Sequence, residues 1–204
     1  MRAFKMSPAE RVAVGLALAL LVLHALAPGE SLEYQRHRLA LEPWRALTGH
    51  LVHINWPHTL VNAAALWVVA RLYAEDLGWR RQLVALVASA LAISGALAFA
   101  YPSIEWYRGL SGALHGLFFA GATTWLLSER PRTFSRLWMP AALLVGGWIK
   151  VVLEQPGGAT TPHAAWLGAA IVPQAHFVGA VCGTALGALF AATNARAAEQ
   201  RRQQ

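Results

Sequence analysis

A serine between glycines is the first candidate for chemistry in this sequence. Gly109-Leu110-Ser111-Gly112 follows a polar stretch and opens an apolar one. A serine at that point can cap a helix with its hydroxyl, and small residues let helices pack closely, so the tetrapeptide alone also has a purely structural interpretation. A glycine-flanked helix N-terminus admits a substrate carbonyl and offers backbone donors to an oxyanion, which favours Ser111 as a nucleophile.

A histidine near the start of the last apolar segment is the candidate base. A glycine lies three residues after His176, and glycines then recur every four residues. They form a flat stripe on the helical face that also carries the histidine. If this stripe packs against the small residues that follow Ser111, the imidazole can take the proton of the serine hydroxyl. The alternative is an interfacial histidine satisfied by loop carbonyls. The glycines concerned are Gly179, Gly183 and Gly187 in the stripe, and Gly112 and Gly116 after the serine.

His58 and Asn62 are polar side chains one helical turn apart. Pro57 suits a first helical turn, so a helix should begin there and carry both side chains on one face. Two donors at this spacing could stabilise an oxyanion opposite Ser111. The alternative is a zinc site, because histidines four apart can bind zinc and the chain has 8 histidines. No carboxylate accompanies the pair, so we expect no metal here.

The elements that must position these residues are membrane-spanning helices. The chain has 204 residues, 56% hydrophobic and 13% charged, a composition typical of integral membrane proteins. A helix needs about 20 mostly apolar residues to span a bilayer. Lys150 makes the fifth of six candidate segments the weakest, although its long side chain can extend to the headgroups. The candidate segments are approximately residues 11–27, 58–73, 82–101, 111–128, 137–153 and 173–193.

The basic residues predict how these helices are oriented. Of the 17 Lys and Arg residues, twelve fall in the N-terminus, the tail and two alternate connections, and five on the opposite side. Because Lys and Arg concentrate in cytoplasmic segments, both termini are predicted to be cytoplasmic. The charge of +7 is dispersed in short clusters, so it does not indicate a nucleic-acid partner. The first apolar segment resembles a signal peptide without a convincing cleavage site, and we expect an uncleaved signal anchor.

Two long connections remain outside the predicted helices. Residues 28–57 have mixed charge, and Trp44 and Trp56 suit an interfacial position, so this connection should lie on the outer leaflet. Residues 155–172 are rich in glycine and proline, a composition that indicates a loop, and this loop could act as a lid. The single cysteine, Cys182, excludes a disulfide framework and a cysteine-based metal site. The fold predicted is an all-α membrane protein with one domain over residues 1–204.

Taken together, these residues resemble the rhomboid intramembrane proteases, over residues 44–187. The marks of that family are a Gly-x-Ser-Gly at the start of the fourth helix, a His-x-x-x-Asn on the second, and an Ala-His followed by spaced glycines on the sixth. Each mark is weak alone, but this chain has all three, on its second, fourth and sixth predicted helices. The corresponding residues are Gly109 to Gly112, His58 to Asn62, and Ala175-His176 with Gly179 and Gly183.

The resemblance implies a six-helix rhomboid-type bundle and a role for each marked residue. Ser111 would be the nucleophile and His176 the base of a two-residue dyad. His58, Asn62 and the backbone amide of Ser111 would form the oxyanion hole. The flanking glycines, Gly109 and Gly112, would support the nucleophile. In the first loop Trp44, Arg45 and His53 look structural, with Arg45 pairing with an acid that the sequence does not identify.

Two departures narrow the resemblance to one branch of the family. Many members have an aromatic residue four positions after the serine, whereas this chain has His115, and Arg108 stands where a small residue is common. His115 could stack on or orient His176, and a direct proton-transfer role is the lesser alternative. The sequences of residues 47–53 and 109–116 in a compact chain resemble the rhombosortases. Members of that branch are thought to process proteins with a C-terminal tail of a Gly-Gly motif, an apolar helix and a basic end.

The function implied is that of an intramembrane serine endopeptidase in the bacterial inner membrane, with an active site open to the periplasm. It would cleave transmembrane or C-terminally tail-anchored proteins through an acyl-enzyme, with membrane lipid around it and neither cofactor, metal nor nucleic acid. One alternative is an inactive relative that binds transmembrane helices, which the presence of Ser111 and His176 disfavours. The other is a small transporter or metal-handling membrane protein, which the absence of acids within the spans disfavours.

Overall fold

The computed structural model describes residues 5–27, 29–128, 134–156 and 171–203, which are mostly helical. Most of the predicted lid, residues 157–170, therefore lies outside the described residues. The helices of the described part are α1 (Pro8–Leu26), α2 (Gly29–Leu32), α3 (Arg45–Thr48), α4 (Trp56–Leu72), α5 (Ala74–Phe99), α6 (Ser111–Leu127), α7 (Phe134–Leu153) and α8 (Pro173–Arg202). Two short strands, β1 (Tyr34–Gln35) and β2 (Trp106–Tyr107), and a 3-10 turn at Arg36–Arg38 complete them.

All six predicted apolar segments fall in helices. Three of these helices, α1, α5 and α8, are long and apolar enough to cross a membrane by length and composition. Helices α4 and α6 have 17 residues each, and α7 contains the shorter apolar segment Leu137–Leu153. A membrane protein built of apolar helices is thus confirmed. The count of six crossings and the side on which the termini lie stay predictions.

Some helix boundaries differ from the predicted ones, and capping residues explain where α1 and α4 begin. Helix α1 begins earlier than predicted, because the Ser7 hydroxyl accepts from the Glu10 amide at 3.2 Å and the Ser7 amide donates to the Glu10 carboxylate at 2.8 Å. Helix α4 begins near Pro57 as expected, and the Asn55 side chain accepts from the His58 amide at 2.9 Å. Helix α8 runs nine residues beyond the predicted end at residue 193, through a polar stretch of good helix formers.

Helix α6 is the centre of the bundle. It packs against α4, α5, α7 and α8, and side chains such as Leu117 and Phe119 are fully buried. The outer helices, in contrast, turn large apolar side chains outward. Leu18 of α1 is 56% exposed, Leu60 of α4 53% and Val84 of α5 50%. Apolar surface this extensive is unusual for a soluble monomer and suits contact with lipid.

Helices α6 and α8 approach each other along their glycines. A Cβ added at Gly179 would overlap the carbonyl oxygen of Gly112, and one added at Gly183 would overlap that of Gly116. Further along, a Cβ at Gly187 would lie 2.6 Å from the carbonyl oxygen of Ala120. The packing predicted from the glycine stripe is thus confirmed. It brings the N-termini of the two helices together.

We expect Gly183→Ala to destabilise the protein in detergent. Its methyl group has no room against the Gly116 carbonyl, so the helices must separate, and overpacking of this kind typically costs about 1 to 3 kcal/mol. Thermal unfolding measures the loss. The matched control is Gly95→Ala in α5, where a Cβ would have nothing within 4 Å and alanine is the better helix former. Equal destabilisation by both changes would contradict this account of the packing.

The first loop is tied to the bundle by buried polar contacts. Arg45 is 2% exposed, forms an ion pair with Glu42, and donates to the carbonyl oxygens of Glu30 and Glu33 at 3.0 and 2.8 Å. Glu42 is therefore the acid that the sequence left unidentified. Strand β1 pairs antiparallel with β2, and Arg108 forms an ion pair with Glu33 beside them. The loop is thereby fastened to the segment that leads into Ser111.

A buried histidine, His50, anchors the same loop to α5. Its Nε2 lies 3.1 Å from the Ser94 hydroxyl, and its ring tilts against Tyr107 with centroids 5.1 Å apart. The residue is 1% exposed, and burial lowers its pKa to about 4. Burial likewise lowers the pKa of His53, also in this loop, to about 3. Both rings are therefore neutral in the folded protein at physiological pH.

We expect the stability of the protein to fall as the pH drops below about 6.5. The unfolded chain binds a proton at His50 near that pH, whereas the folded protein resists it down to a pKa of about 4. His50→Gln should remove on the order of 3 kcal/mol of this decline between pH 6.5 and 4. Thermal unfolding at a series of pH values measures it, with the exposed His37→Gln as control. A decline of the same size in His50→Gln would contradict the assignment.

Candidate active site

The turn before Ser111 is held in a conformation that requires glycine. Gly109 has φ +126°, and its amide donates to the carbonyl oxygen of Gly49 at 3.0 Å. The next amide, of Leu110, donates to His53 Nε2 at 3.4 Å. Since the pKa of His53 is depressed, this nitrogen can serve as an acceptor. His53 is therefore placed to support the turn, the structural role that the family resemblance implies.

The Ser111 hydroxyl is directed towards His176. Ser111 is the first residue of α6 and Leu110 is the cap, with no side-chain capping bond, so the expectation that the serine could cap its own helix is wrong. The Ser111 Oγ lies 3.0 Å from the Nε2 of His176. His176 follows Pro173 in the first turns of α8 and is 5% exposed. Gly112 makes this approach possible, because a Cβ there would lie 2.9 Å from the Ala175 carbonyl oxygen.

His58 and Asn62 lie on the α4 face that borders the same space. The His58 ring packs against Gly109, where a Cβ would lie 2.7 Å from Cε1, and meets the His53 ring edge-on at 4.9 Å. Asn62 is 3% exposed, and its amide nitrogen donates to the His58 carbonyl oxygen at 2.9 Å. That bond uses one of the two amide hydrogens. The structure thus brings both residues to the cavity that Ser111 lines.

His115 stacks on His176. The ring centroids are 4.2 Å apart and the planes differ by 18°. The Nδ1 of His115 donates to the Ser111 carbonyl oxygen at 2.8 Å, which leaves Nε2 as an acceptor for Lys150 Nζ, also at 2.8 Å. Of the two roles expected for His115, stacking on His176 has geometric support, and its own hydrogen bonds run to the backbone and to Lys150.

Sequence reasoning missed two charged residues of the site, Glu154 and Lys150. Glu154 follows the last residue of α7, and its Oε2 lies 3.0 Å from His176 Nδ1 and 2.8 Å from Lys150 Nζ. Lys150 therefore contacts two groups of the site, and its reach to the headgroups stays a prediction. The signal that could have found the pair is their spacing of four residues at a helix end. Glu154 lies one residue beyond the predicted span of residues 137–153, where a charged residue is ordinary and gives no sign of a site.

A cavity of about 410 Å³ joins these side chains. Polar groups cluster at one end, where the helix N-termini of α4, α6 and α8 meet, and apolar side chains line the rest. The polar lining residues include His58, Asn62, Ser111, His115, Lys150 and His176, and the apolar ones include Val61, Ala65, Val69, Leu114, Phe118 and Phe119. An apolar peptide segment can thus enter beside a serine whose proton has an acceptor.

Within the described residues, one group of side chains has the spacing of a metal site. Ligand atoms of His115, Glu154 and His176 all lie within 4.8 Å of one another. The ammonium of Lys150 is 2.8 Å from both the His115 nitrogen and the Glu154 carboxylate. A fixed positive charge at this distance opposes a second cation, so the group is better explained as a hydrogen-bonded ion pair. His58 and Asn62 are not part of it.

Comparison with known proteins assigns the chain to a family. A family profile described as a Rhomboid domain matches residues 40–193, which include every site residue described above. Curated relatives include the rhomboid protease GlpG of Salmonella choleraesuis, 28% identical over 159 residues, in a match that covers 72% of this chain and 49% of the relative. The GlpG proteins of Salmonella newport and Salmonella typhi match to the same extent. The chain spans about half the length of these curated relatives. Since the profile covers most of its length, the chain belongs to the rhomboid family.

Proposed function

We propose that this chain is an intramembrane serine endopeptidase with Ser111 as nucleophile and His176 as general base. The observation that carries the proposal is the 3.0 Å separation of Ser111 Oγ and His176 Nε2 at the polar end of a cavity. A serine hydroxyl is a weak nucleophile until a neighbouring base takes its proton. The curated relatives, which are named as proteases, support the same activity.

The chemistry follows from which atoms face the substrate. The Ser111 proton moves to His176 Nε2 as Oγ attacks the scissile carbonyl, whose oxygen becomes negatively charged. His58, Asn62 and the Ser111 amide are the donors proposed for that oxygen. His176 then gives its proton to the leaving amine, and an acyl-enzyme remains on Ser111. Water or another amine releases it, with His176 again taking a proton.

The proposed substrate is a membrane-anchored protein with a C-terminal tail of the Gly-Gly type. The apolar part of the cavity, lined by Val61, Ala65 and Val69 of α4, suits an apolar segment that leaves a lipid environment. Small residues at the cleavage position would allow the substrate backbone to reach Ser111, which lies at the start of a helix. His115 and Arg108 are the two departures from the commoner family pattern. They support the resemblance to the rhombosortase branch, from which this substrate class is taken.

We also propose that the site opens to the periplasmic side of a bacterial inner membrane. Arg71 forms an ion pair with Glu10, and Arg81 donates a hydrogen bond to Asn194. The basic connection between the second and third predicted spans, the start of α1 and the end of α8 therefore share one end of the bundle. The helix N-termini that carry His58, Ser111 and His176 lie at the other end. Cytoplasmic localisation of the basic end would direct the site outward.

Co-expression with a model substrate tests this proposal. The substrate is a soluble reporter fused to a tail of two glycines, an apolar helix and a basic end, and a matched copy has the glycines replaced by valines. We expect the parent protein to shorten the reporter, Ser111→Ala to leave it intact, and the valine copy to be cut far more slowly. Cleavage by Ser111→Ala would contradict the activity, and equal cleavage of both copies would contradict the substrate class.

A further inference from the structure

A buried carboxylate lies behind the proposed base, on the side away from the serine. The Oε2 of Glu154 is 3.0 Å from Nδ1 of His176, and the two side chains are 2% and 7% exposed. Glu154 comes from the end of α7, whereas His176 lies on α8 and Ser111 on α6. Three separate elements therefore converge on one imidazole ring.

The contact fixes which ring nitrogen of His176 carries the proton. An ionised carboxylate only accepts hydrogen bonds, so Nδ1 must be the donor to Glu154. In a neutral imidazole the other nitrogen then has a lone pair, and Nε2 faces the Ser111 hydroxyl at 3.0 Å. The opposite tautomer would present an N–H to the serine, and such a ring cannot take its proton. The carboxylate therefore selects the reactive form of the ring.

A second set of contacts keeps that carboxylate charged and in place. Burial of an unpaired carboxylate is costly, and Lys150 Nζ offsets this cost at 2.8 Å from the Glu154 Oε2. The same ammonium donates to Nε2 of His115, whose ring covers the face of His176 at 4.2 Å. The imidazole is thus held at its edge by Glu154 and at its face by His115.

We propose that Glu154 is a positioning residue for the base, so that the Ser111–His176 pair works as part of a Ser111–His176–Glu154 triad. The inference rests on the proposed function and adds a third group to it. In each turnover the proton of Ser111 moves to Nε2, while the Nδ1 proton stays on the ring and the Glu154 carboxylate stays ionised. The carboxylate holds the ring's orientation and faces the positive charge that develops on it.

The rival interpretation is that Glu154 serves only as the ion-pair partner of Lys150 at a helix end. The two interpretations predict different stability and turnover for a variant in which both Glu154 and Lys150 are replaced by uncharged residues. If the ion pair alone matters, Glu154→Gln leaves an uncompensated lysine, and adding Lys150→Met should restore stability and turnover. If Glu154 orients the base, the double variant stays as slow as Glu154→Gln, because no carboxylate faces Nδ1 in either protein.

The test measures turnover of the tailed reporter and the rate at which a fluorophosphonate labels Ser111, both with purified protein in detergent. We expect Glu154→Gln to lower kcat by about 10²- to 10⁴-fold with KM changed less than about threefold, and to slow labelling in parallel. Glu154→Asp should recover part of the rate, since it keeps the charge. The matched control is Glu10→Gln, which removes another buried glutamate from its ion pair with Arg71 at the opposite end of the bundle.

Each outcome decides between the interpretations. A slow Glu154→Gln, with parental kcat in Glu10→Gln and no rescue by Lys150→Met, supports the positioning role of Glu154. Parental turnover and labelling in Glu154→Gln, or rescue by Lys150→Met, would overturn that role and leave the Ser111–His176 pair intact. A parent protein that neither cleaves the reporter nor is labelled at Ser111 would overturn the proposed function and the role of Glu154 together.

Discussion

Ser111→Ala and His176→Ala are each expected to lower cleavage by a factor of about 10⁴ or more, while the protein stays folded in detergent. The serine supplies the attacking oxygen and the histidine takes its proton, so neither is useful without the other. Because they act as a unit, the double variant should be only slightly slower than either single variant. Turnover of the tailed reporter and thermal unfolding measure the two effects separately.

The control for this prediction is a change on the same helix as His176 that keeps both reacting groups. Cys182→Ala on α8 leaves Ser111 and His176 in place and should retain parental turnover. Full activity in Ser111→Ala or in His176→Ala would defeat the assignment. Loss of activity through unfolding is recognised by a lowered unfolding temperature, which neither alanine variant should show.

His58→Ala is expected to lower kcat by about 10²- to 10³-fold with a much smaller change in KM. A donor to the oxyanion meets a charge that develops only in the transition state, so its loss slows turnover more than it weakens substrate binding. Asn62→Ala should have a smaller effect, since the Asn62 amide already donates to its own helix at the His58 carbonyl. Steady-state kinetics on the tailed reporter measure both variants.

The oxyanion role can be separated from a metal-binding role of the same residues. If His58 were a metal ligand, a chelator would inhibit the parent enzyme and added zinc would restore it. We expect chelators to leave turnover unchanged. Stoichiometric metal bound at His58, or full turnover in the His58→Ala, Asn62→Ala double variant, would show that these residues do not serve as oxyanion donors.

The meeting of Ser111 and His176 could be predicted from the sequence because local patterns carry it. Glycines at a spacing of four define which faces of α6 and α8 touch, and each candidate residue lies at the start of its glycine-lined face. Pro57 and Asn55 likewise identify the start of α4, and therefore the side on which His58 and Asn62 lie. Periodicity and capping are properties of single helices, so they are readable without knowledge of the fold.

The strand pairing and the partners of Arg45 and His176 depend on contacts between segments distant in the sequence, which local patterns do not predict. Strands β1 and β2 have two residues each, too few for an alternating pattern, and the paired residues Gln35 and Trp106 are 71 positions apart. Glu42 was one of several loop acids that could have paired with Arg45. Glu154 lies past the end of a predicted span, where an acid four residues after a lysine is typical of a surface ion pair. Only the packing of α7 beside α8 turns it towards His176.

Locating the residue that a fluorophosphonate modifies is the most direct test of the central claim that Ser111 is activated by His176. Purified protein in detergent is treated with the probe, and mass spectrometry of its peptides identifies the adduct and the rate at which it forms. We predict a single adduct on Ser111 in the parent, none in Ser111→Ala, and labelling at least about 10²-fold slower in His176→Ala. Modification of another serine at the parental rate, or undiminished labelling of Ser111 in His176→Ala, would contradict the claim.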